Sequence, residues 1–306
     1  MELEQLYSDF PDFFQHIFFY ILGFVIFYLI DKYIFPQSNE PDKIFIIPEN
    51  DLEERQIYIK KYSKELEKMP KIDKYYIVIG LGGVGSKVVM DLIRAGVQKL
   101  KVIDYDLVTL SSLNRHAFAK RSDVGKFKSD LIKEYCKKTR PDIIITSIEK
   151  PLLKDNLEQY LLSQEKPDII IDCIDDLNTK ADLYKFCFLK KLKIFSSMGA
   201  GAKCDPTTIR YGKFNEIKGE ILSKRLRYIV RKKMKEEIKN EKDLVPDFEC
   251  VYSVEKNKRD LAELDEEKKE DVNKYRTNFN ERVRSLPVFA CMPSSFGHCL
   301  SSLSIN

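Results

Sequence analysis

The sequence predicts an α/β fold, in which a mostly parallel sheet has flanking helices and is preceded by one transmembrane helix. Three observations lead to this prediction. Short runs rich in β-branched residues alternate with helix-forming stretches, as they do in βαβ units. A glycine-rich turn joins the first such run to the helix that follows it. An uncharged apolar segment of roughly 18 residues lies ahead of them all.

The apolar segment, residues 13–30, has the properties of an uncleaved membrane anchor. Only Gln15 and His16 are polar within it, and its apolar residues cover every face of a helix. A cleaved signal peptide is disfavoured, because no Lys or Arg precedes the segment and no small-residue cleavage site follows it. A buried hydrophobic helix stays open as an alternative. Basic residues after the segment predict that the body of the protein faces the cytosol.

Three domains follow from this pattern: an anchor at 1–35, a proline-containing linker and helix at 36–69, and the main domain at 70–306. Five strands are predicted in the main domain: Tyr75–Gly80, Leu100–Asp104, Asp142–Ser147, Asp168–Asp172 and Lys193–Ser197. Four helices alternate with them: Ser86–Ala95, Lys128–Arg140, Asp155–Gln164 and Asp182–Lys190. A basic insertion at 213–242 and an apolar tail from residue 286 complete the chain.

The composition excludes several classes of protein. Of 306 residues, 43% are hydrophobic, so the chain is not a disordered one. The 52 Lys and Arg exceed the 48 Asp and Glu by only four, so any affinity for nucleic acid must come from a local basic patch. The seven cysteines are widely spaced and form no C-x-x-C pair, which disfavours a disulfide scaffold or a paired-cysteine zinc site.

The glycine-rich turn, GLGGVGS, is the first candidate binding feature. It matches G-x-G-x-x-G between a strand and a helix, where glycine allows a tight turn, close approach to phosphate and close helix–strand packing. Asp104 ends the next strand, the usual place of a carboxylate that binds ribose hydroxyls. The fold is therefore Rossmann-like and binds a nucleotide, although this motif alone does not separate NAD from ATP.

The residues that follow Asp104 favour ATP. A second acid, Asp106, is followed by Asn114, Arg115 and Lys128. Positive side chains beyond the ribose suit a triphosphate, because they neutralise charge on the group that is transferred. Asp175, after a later strand, suits Mg²⁺, which prefers carboxylates together with phosphates and water.

The motifs G-x-G-G-V-G-S, D-x-D-x-V, S-x-L-N-R, V-G-x-x-K and C-I-D-D together resemble the adenylating (ThiF-like) superfamily. That superfamily contains the ubiquitin-activating enzymes and the activators of sulfur-carrier proteins, which adenylate a carboxylate with ATP. The resemblance implies catalytic roles for Arg115, Lys128 and Asp175, the last as the Mg²⁺ ligand. It implies nucleotide binding by a larger set: Gly80, Gly82, Gly83, Gly85, Ser86, Asp104, Asp106, Asn114, Arg115 and Lys128. His116 departs from the family, which usually has Gln after the Asn-Arg pair.

Further stretches are similar to the tRNA threonylcarbamoyladenosine dehydratases. They are SSMGAGAKCDPTTI from Ser196, VYSVEK from Val251 and LPVFACMPSSFG from Leu286. Membrane-anchored fungal members of that family also carry a hydrophobic helix before the catalytic domain. The resemblance implies adenylation of the threonyl carboxylate beside the anticodon, followed by ring closure with release of AMP and pyrophosphate. By analogy it also implies a homodimer and the mitochondrial outer membrane.

The basic insertion supplies the candidate tRNA surface, because Lys and Arg contacts to phosphate give affinity without sequence choice. The residues predicted to bind tRNA are Lys224, Arg225, Arg227, Arg231 and Lys232. An activator of a ubiquitin-like or sulfur-carrier protein is the main alternative function. A nucleotide-binding membrane scaffold without turnover and an NAD oxidoreductase are the others.

Overall fold

The structure, a computed structural model, describes most of the main domain. The described stretches are residues 73–163, 165–235, 247–256 and 288–305. All of them belong to one compact unit of the chain, Gln56–Asn306. No helix in these stretches is long and apolar enough to cross a membrane. The predicted anchor at 13–30 and the linker and helix at 36–69 lie outside the described residues, so they stay predictions.

Seven strands form one mixed sheet in the order β3-β2-β1-β4-β5-β7-β6. The five neighbouring pairs from β3 to β7 are parallel, and only β6 runs antiparallel, against β7. The strands are β1 (Tyr75–Ile79), β2 (Lys99–Ile103), β3 (Ile144–Ile148), β4 (Ile169–Asp172), β5 (Ile194–Ser197), β6 (Ile209–Lys213) and β7 (Glu249–Ser253). The predicted mostly parallel sheet is confirmed. The sequence did not predict the antiparallel pair β6–β7 at the edge of the sheet, because its two strands lie far apart in the sequence.

Helices cover both faces of the sheet. They are α1 (Gly83–Ala95), α2 (Lys128–Thr139), α3 (Leu157–Leu162), α4 (Leu177–Leu189), α5 (Ile221–Lys235) and α6 (Cys291–Ile305). Strand β1 shows why two layers of helices are needed, since all five of its residues are buried. Tyr76 and Val78 point into the core formed with α1, α2 and α6. Ile77 and Ile79 point into the opposite core, formed with α3, α4 and α5.

Two helices begin earlier than the sequence predicted. Helix α1 starts at Gly83 and not at Ser86, so the second half of the glycine motif is the first turn of the helix. Helix α4 starts at Leu177 and not at Asp182. The reason is the side chain of Asp176, which accepts a hydrogen bond from the Thr179 N–H at 2.7 Å and so caps the helix.

The C-terminal helix α6 lies directly on α1, although the two are about 200 residues apart in sequence. Gly297 permits this approach: a Cβ atom there would lie 2.6 Å from the Cβ of Lys87 and 2.8 Å from the carbonyl oxygen of Val84. At the far side of the contact, the carboxylate of Asp91 accepts hydrogen bonds from His298 and Ser301, each at 2.7 Å. The start of α6 is thereby held beside the glycine motif.

Candidate functional site

The candidate site lies where the strand order reverses, between the neighbouring strands β1 and β4. Helices leave these two strands on opposite faces of the sheet, and open α/β sheets bind ligands in the resulting crevice. The turn after β1 touches the loop after β4. A Cβ atom on Gly80, whose φ is +83°, would lie 2.8 Å from the carbonyl oxygen of Cys173. The glycine motif and the loop that carries Asp175 therefore form one surface.

The glycines of the motif have distinct roles in this geometry. Gly80 adopts the left-handed conformation that makes the turn tight. A side chain at Gly85 would overlap the carbonyl oxygen of Gly80, so this glycine permits close packing of α1 against β1. Gly82 is different, because no described atom lies within 4 Å of where its Cβ would be. Gly82 is thus the position at which the backbone is open to a ligand.

Two predicted binding residues also hold the glycine turn in place. Asp104 directly follows β2, and its carboxylate accepts the Leu81 N–H at 2.5 Å and the Asp106 N–H at 2.7 Å. Burial raises the pKa of Asp104, and the charge of Lys128 opposes that rise. Ser86 is fully buried, and its hydroxyl accepts the Ala117 N–H at 3.0 Å. Ser86 therefore anchors the segment around Ala117, and its predicted part in nucleotide binding stays a prediction.

The three polar residues predicted to meet the triphosphate come from two separate segments. Arg115 follows a short 3₁₀ turn, and its guanidinium donates to the Ser111 carbonyl at 2.8 Å and the Asn114 side-chain oxygen at 2.9 Å. Its side chain also lies beside Gly83, 3.1 Å from where a Cβ would be. Lys128 begins α2 and donates to the carboxylate of Asp106 at 2.7 Å. The structure thus brings Arg115 to the glycine turn and pairs Lys128 with Asp106.

Asp175 is exposed at the surface formed by the two loops. In the described part of the chain its carboxylate makes no recorded hydrogen bond or ion pair. Its chain neighbours are in contrast fixed: the Ile174 N–H donates to Asp172 at 3.0 Å, and Asp176 caps α4. A loop fixed on both sides of Asp175 therefore carries a carboxylate that is exposed and has no partner among the described residues.

His116, the departure from the family pattern, is a buried neutral side chain. Its Nδ1 accepts the N–H groups of Phe118 at 3.2 Å and Ala119 at 3.1 Å, so the ring organises the turn after Arg115. Burial, with the charge of Lys128 second, lowers the pKa of His116 to about 4. This residue acts on the backbone of the site, a role that the sequence did not reveal.

The His116 pKa predicts a specific dependence of stability on pH. Between pH 6.5 and 4 the unfolded chain binds a proton that folded His116 does not, so stability is full above this window and falls as the pH drops through it. The loss reaches about 3 kcal/mol. In urea unfolding, wild type should lose stability relative to His116→Gln as the pH falls. His298→Gln, a change at an exposed position of α6, should leave that loss in place. If the difference in free energy of unfolding between wild type and His116→Gln stays constant with pH, the lowered pKa of His116 is contradicted.

The basic residues of α5 divide into two groups. Leu226, Val230 and Met234 bury one face of the helix against α4. The opposite face is exposed and carries Lys224, Arg225, Tyr228, Arg231, Lys232 and Lys235. Arg227 is not part of this outward face: its guanidinium donates to the carbonyls of Phe214 at 2.8 Å and Ile217 at 2.9 Å.

The sequence did not locate the contacts that the start of α6 makes with the site. Pro293 lies against Gly83, 2.9 Å from where a Cβ would be, and Asn114 donates to the Val288 carbonyl at 3.3 Å. The motif around these residues was visible as a resemblance, but its position depends on the packing of α6 on α1. Chemically, the site combines an open backbone turn, two cationic side chains and a carboxylate exposed in the described part of the chain, a set that suits a phosphorylated ligand with a divalent cation.

Known proteins resemble the chain in sequence and in fold. The sequence model of the ThiF family matches residues 54–265. Among curated proteins, the chain is 37% identical over 230 residues to tRNA threonylcarbamoyladenosine dehydratase 2 of Saccharomyces cerevisiae, covering 74% of this chain and 49% of that protein. Dehydratase 1 of the same yeast is 34% identical over 237 residues, covering 76% of this chain and 52% of the relative. The chain thus spans about half the length of these two relatives.

A solved structure shares the fold. The E. coli tRNA N6-threonylcarbamoyladenosine dehydratase TcdA in complex with ATP superposes with a TM-score of 0.65. The match is 24% identical and covers 82% of this chain and 92% of TcdA. At this identity the match establishes the α/β architecture.

Proposed function

Because the chain belongs to the ThiF family, we propose that it catalyses the ATP-dependent dehydration of threonylcarbamoyladenosine next to the tRNA anticodon. The family's adenylation chemistry would activate the threonyl carboxylate, and the modified side chain would then close a ring. The observation that supports the proposal is an open glycine turn with Arg115 beside it and the loop of Asp175 packed against it, in a chain whose two yeast relatives are named for this reaction.

The site fits ATP with Mg²⁺. Gly82 leaves the backbone N–H groups at the start of α1 open to phosphate, and a helix N-terminus favours negative charge. Arg115 and Lys128 supply the positive charge. In the described residues no three potential ligands are grouped as a protein-only metal site. Asp175 and nucleotide phosphates would then hold the ion together, which is how Mg²⁺ is often bound at such sites.

The residues of the chain perform two tasks in the proposed reaction. Asp104, fixed against the glycine turn, binds the ribose and orients the nucleotide. Arg115 and Lys128 neutralise charge on the phosphates while the carboxylate attacks the α-phosphate and pyrophosphate leaves. Ring closure then expels AMP as the tethered side chain attacks its own activated carboxyl group. No protein nucleophile is needed, because the tether gives the attacking group a high effective concentration. The thiol of Cys204, in the stretch that begins at Ser196, therefore takes part in no step.

Pyrophosphate release tests the proposed activity. The protein with Mg²⁺ and ATP should release pyrophosphate in the presence of tRNA that carries threonylcarbamoyladenosine. It should release none with the same tRNA made without the modification. If release requires instead the C-terminus of a small carrier protein, the chain is an activator of a ubiquitin-like or sulfur-carrier protein, the alternative function.

We place the tRNA contact on the outward face of α5. Its exposed cations surround Tyr228, which is 72% exposed and can stack on an unpaired base. Lys224, Arg225, Arg231 and Lys232 have the exposure that phosphate contacts require. Arg227 instead stabilises the helix against residues 214–217, so we assign its role to folding.

The double variant Arg231→Gln/Lys232→Gln should weaken tRNA binding and make it less sensitive to salt. Each lost phosphate contact lowers the slope of log affinity against log salt by about one. Filter binding between low and moderate salt measures this slope. Lys133→Gln/Lys138→Gln, on the exposed face of α2, removes the same charge and should leave the slope unchanged. Equal effects of the two double variants would remove α5 as the tRNA surface.

We also propose that residues 13–30 anchor the protein in a membrane, with the catalytic domain in the cytosol. The uncharged sequence of the segment and the basic residues after it support this. The mitochondrial outer membrane is the proposed location by family analogy. Carbonate extraction should leave the protein in the pellet, and protease added to intact organelles should degrade the catalytic domain. Release by carbonate, or protection from protease, would contradict the anchor or its orientation.

We propose a homodimer, also by family analogy. Its support in the structure is a set of large apolar side chains exposed within residues 105–127: Tyr105, Leu107, Leu110, Val124 and Phe127. Exposed apolar patches of this kind are typical of interaction surfaces. Sedimentation equilibrium should give twice the chain mass for wild type, and Leu110→Asp should give the monomer. A monomeric wild type would contradict the proposal.

A further inference from the structure

An ion pair lies fully buried directly beneath the candidate site. Lys180, in the first turn of α4, donates to the carboxylate of Asp172, the last residue of β4, at 2.6 Å. Both side chains have no exposed surface. Removing two charges from water is costly, and their attraction offsets that cost only with good geometry and further hydrogen bonds. Ser196 supplies one such bond, since its hydroxyl donates to Asp172 at 2.7 Å and also contacts the hydroxyl of Tyr184.

The same pair holds both backbone groups of Ile174. The Ile174 N–H donates to Asp172 at 3.0 Å, and the ammonium group of Lys180 donates to the Ile174 carbonyl at 2.9 Å. On the other side of Asp175, the cap formed by Asp176 fixes the chain again. The backbone on both sides of Asp175 is therefore immobilised, while its own carboxylate is exposed and without a recorded partner in the described residues.

The clamped loop also forms the wall of the glycine turn. The carbonyl carbon of Cys173 and the nitrogen of Ile174 lie 2.9 and 3.0 Å from where a Cβ of Gly80 would be. A displacement of this loop would thus move Asp175 relative to the glycine turn. Neither Asp172 nor Lys180 is exposed, so neither can touch a nucleotide itself.

We propose that Asp172 and Lys180 are positioning residues that fix the loop and thereby set where Asp175 meets the metal-bound phosphates of the nucleotide. The inference deepens the proposed function and rests on the ATP and Mg²⁺ assignment within it. It separates Asp172 and Lys180 from residues that only stabilise the fold, because it predicts a defect specific to the metal-loaded nucleotide.

The test compares binding of ATP with Mg²⁺ and binding of ATP with EDTA, by isothermal titration calorimetry on the full chain. Wild type should prefer the metal-loaded form. The neutral double variant Asp172→Asn/Lys180→Met leaves no unpaired buried charge, and it should lose about tenfold of that preference, as Asp175→Asn should. Its affinity for metal-free ATP should stay close to wild type. The control Asp182→Asn/Lys233→Met removes an ion pair of 2.6 Å between α4 and α5 and should retain the wild-type preference.

Ser196→Ala serves if the double variant does not fold, because it removes one hydrogen bond to Asp172 and keeps the ion pair. It should reduce the metal preference in the same direction by a smaller factor. A folded variant that keeps the wild-type preference, or loses affinity equally with and without metal, would overturn the inference. So would a wild type without any preference for the metal-loaded form. If the variants lose the preference but the wild-type protein does not act on tRNA, the proposed function is contradicted and the positioning role is not.

Discussion

Replacing Lys128 with Ala is expected to lower the rate of adenylation by about 10²- to 10³-fold. The ammonium group is largely buried at the start of α2, where α2 and the loop after β2 hold it 2.7 Å from Asp106. A positive charge held in this way before the nucleotide binds needs no reorganisation when charge develops on the phosphates. The measurement is ATP–pyrophosphate exchange with the modified tRNA at saturating ATP.

The same substitution should change stability much less than activity. The carboxylate of Asp106 is half exposed, so it stays hydrated when Lys128 is removed, and the ion pair contributes at most about 1 kcal/mol. Lys126→Ala is the matched control, because Lys126 lies two residues before Lys128, is exposed and pairs with Asp123. Its exchange rate should match wild type. A Lys128→Ala protein that exchanges within a few-fold of wild type would show that Lys128 does not act on the phosphates.

Alanine at Gly85 is expected to lower the stability of the fold, whereas alanine at Gly82 is expected to lower the affinity for ATP. A methyl group at Gly85 overlaps the Gly80 carbonyl oxygen, a backbone atom that cannot move without separating α1 from β1. Overpacking of this kind destabilises by about 1–3 kcal/mol. At Gly82, whose φ is −71°, the methyl group meets no described atom, so thermal stability should be preserved. There it occupies the space into which a phosphate would fit, and ATP affinity should fall about 10- to 100-fold.

Thermal unfolding and ATP titration on the two variants separate these effects. Gly212→Ala, in edge strand β6, is the control for a glycine with room for a methyl group, since its nearest neighbour would be 3.7 Å away. It should change neither property. A Gly82→Ala protein that binds ATP as tightly as wild type would move the phosphate site away from the glycine turn.

The parts of the site that the sequence predicted are those defined by local pattern. The glycine turn lies between β1 and α1, and Asp104 follows the next strand, so their proximity follows from the connection of parallel neighbouring strands. The order of the strands explains why the loop with Asp175 joins them, because β4 pairs with β1. The first of these relations follows from the βαβ pattern, whereas the pairing of β4 with β1 is known only from the structure.

The parts that the sequence did not predict depend on distant contacts. Lys180 lies in a helix, where a lysine is normally exposed, and only its contact with Asp172 at the end of β4 explains its burial. Ser196, on β5, completes that network from 24 residues away. The position of α6 on α1 depends on Gly297, whose environment comes from the other end of the domain. Arg227 was predicted to bind tRNA because a basic run in the sequence does not show which of its side chains donate hydrogen bonds to the protein's own backbone.

The central claim is that this chain dehydrates threonylcarbamoyladenosine, and mass spectrometry of tRNA nucleosides tests it most directly. tRNA carrying the modification is incubated with the protein, Mg²⁺ and ATP, digested under mild conditions and analysed. We expect a nucleoside lighter by one water, formed only with ATP and formed far more slowly by the Lys128→Ala protein. An unchanged nucleoside, together with adenylation of a carrier protein's C-terminus by the same preparation, would contradict the account.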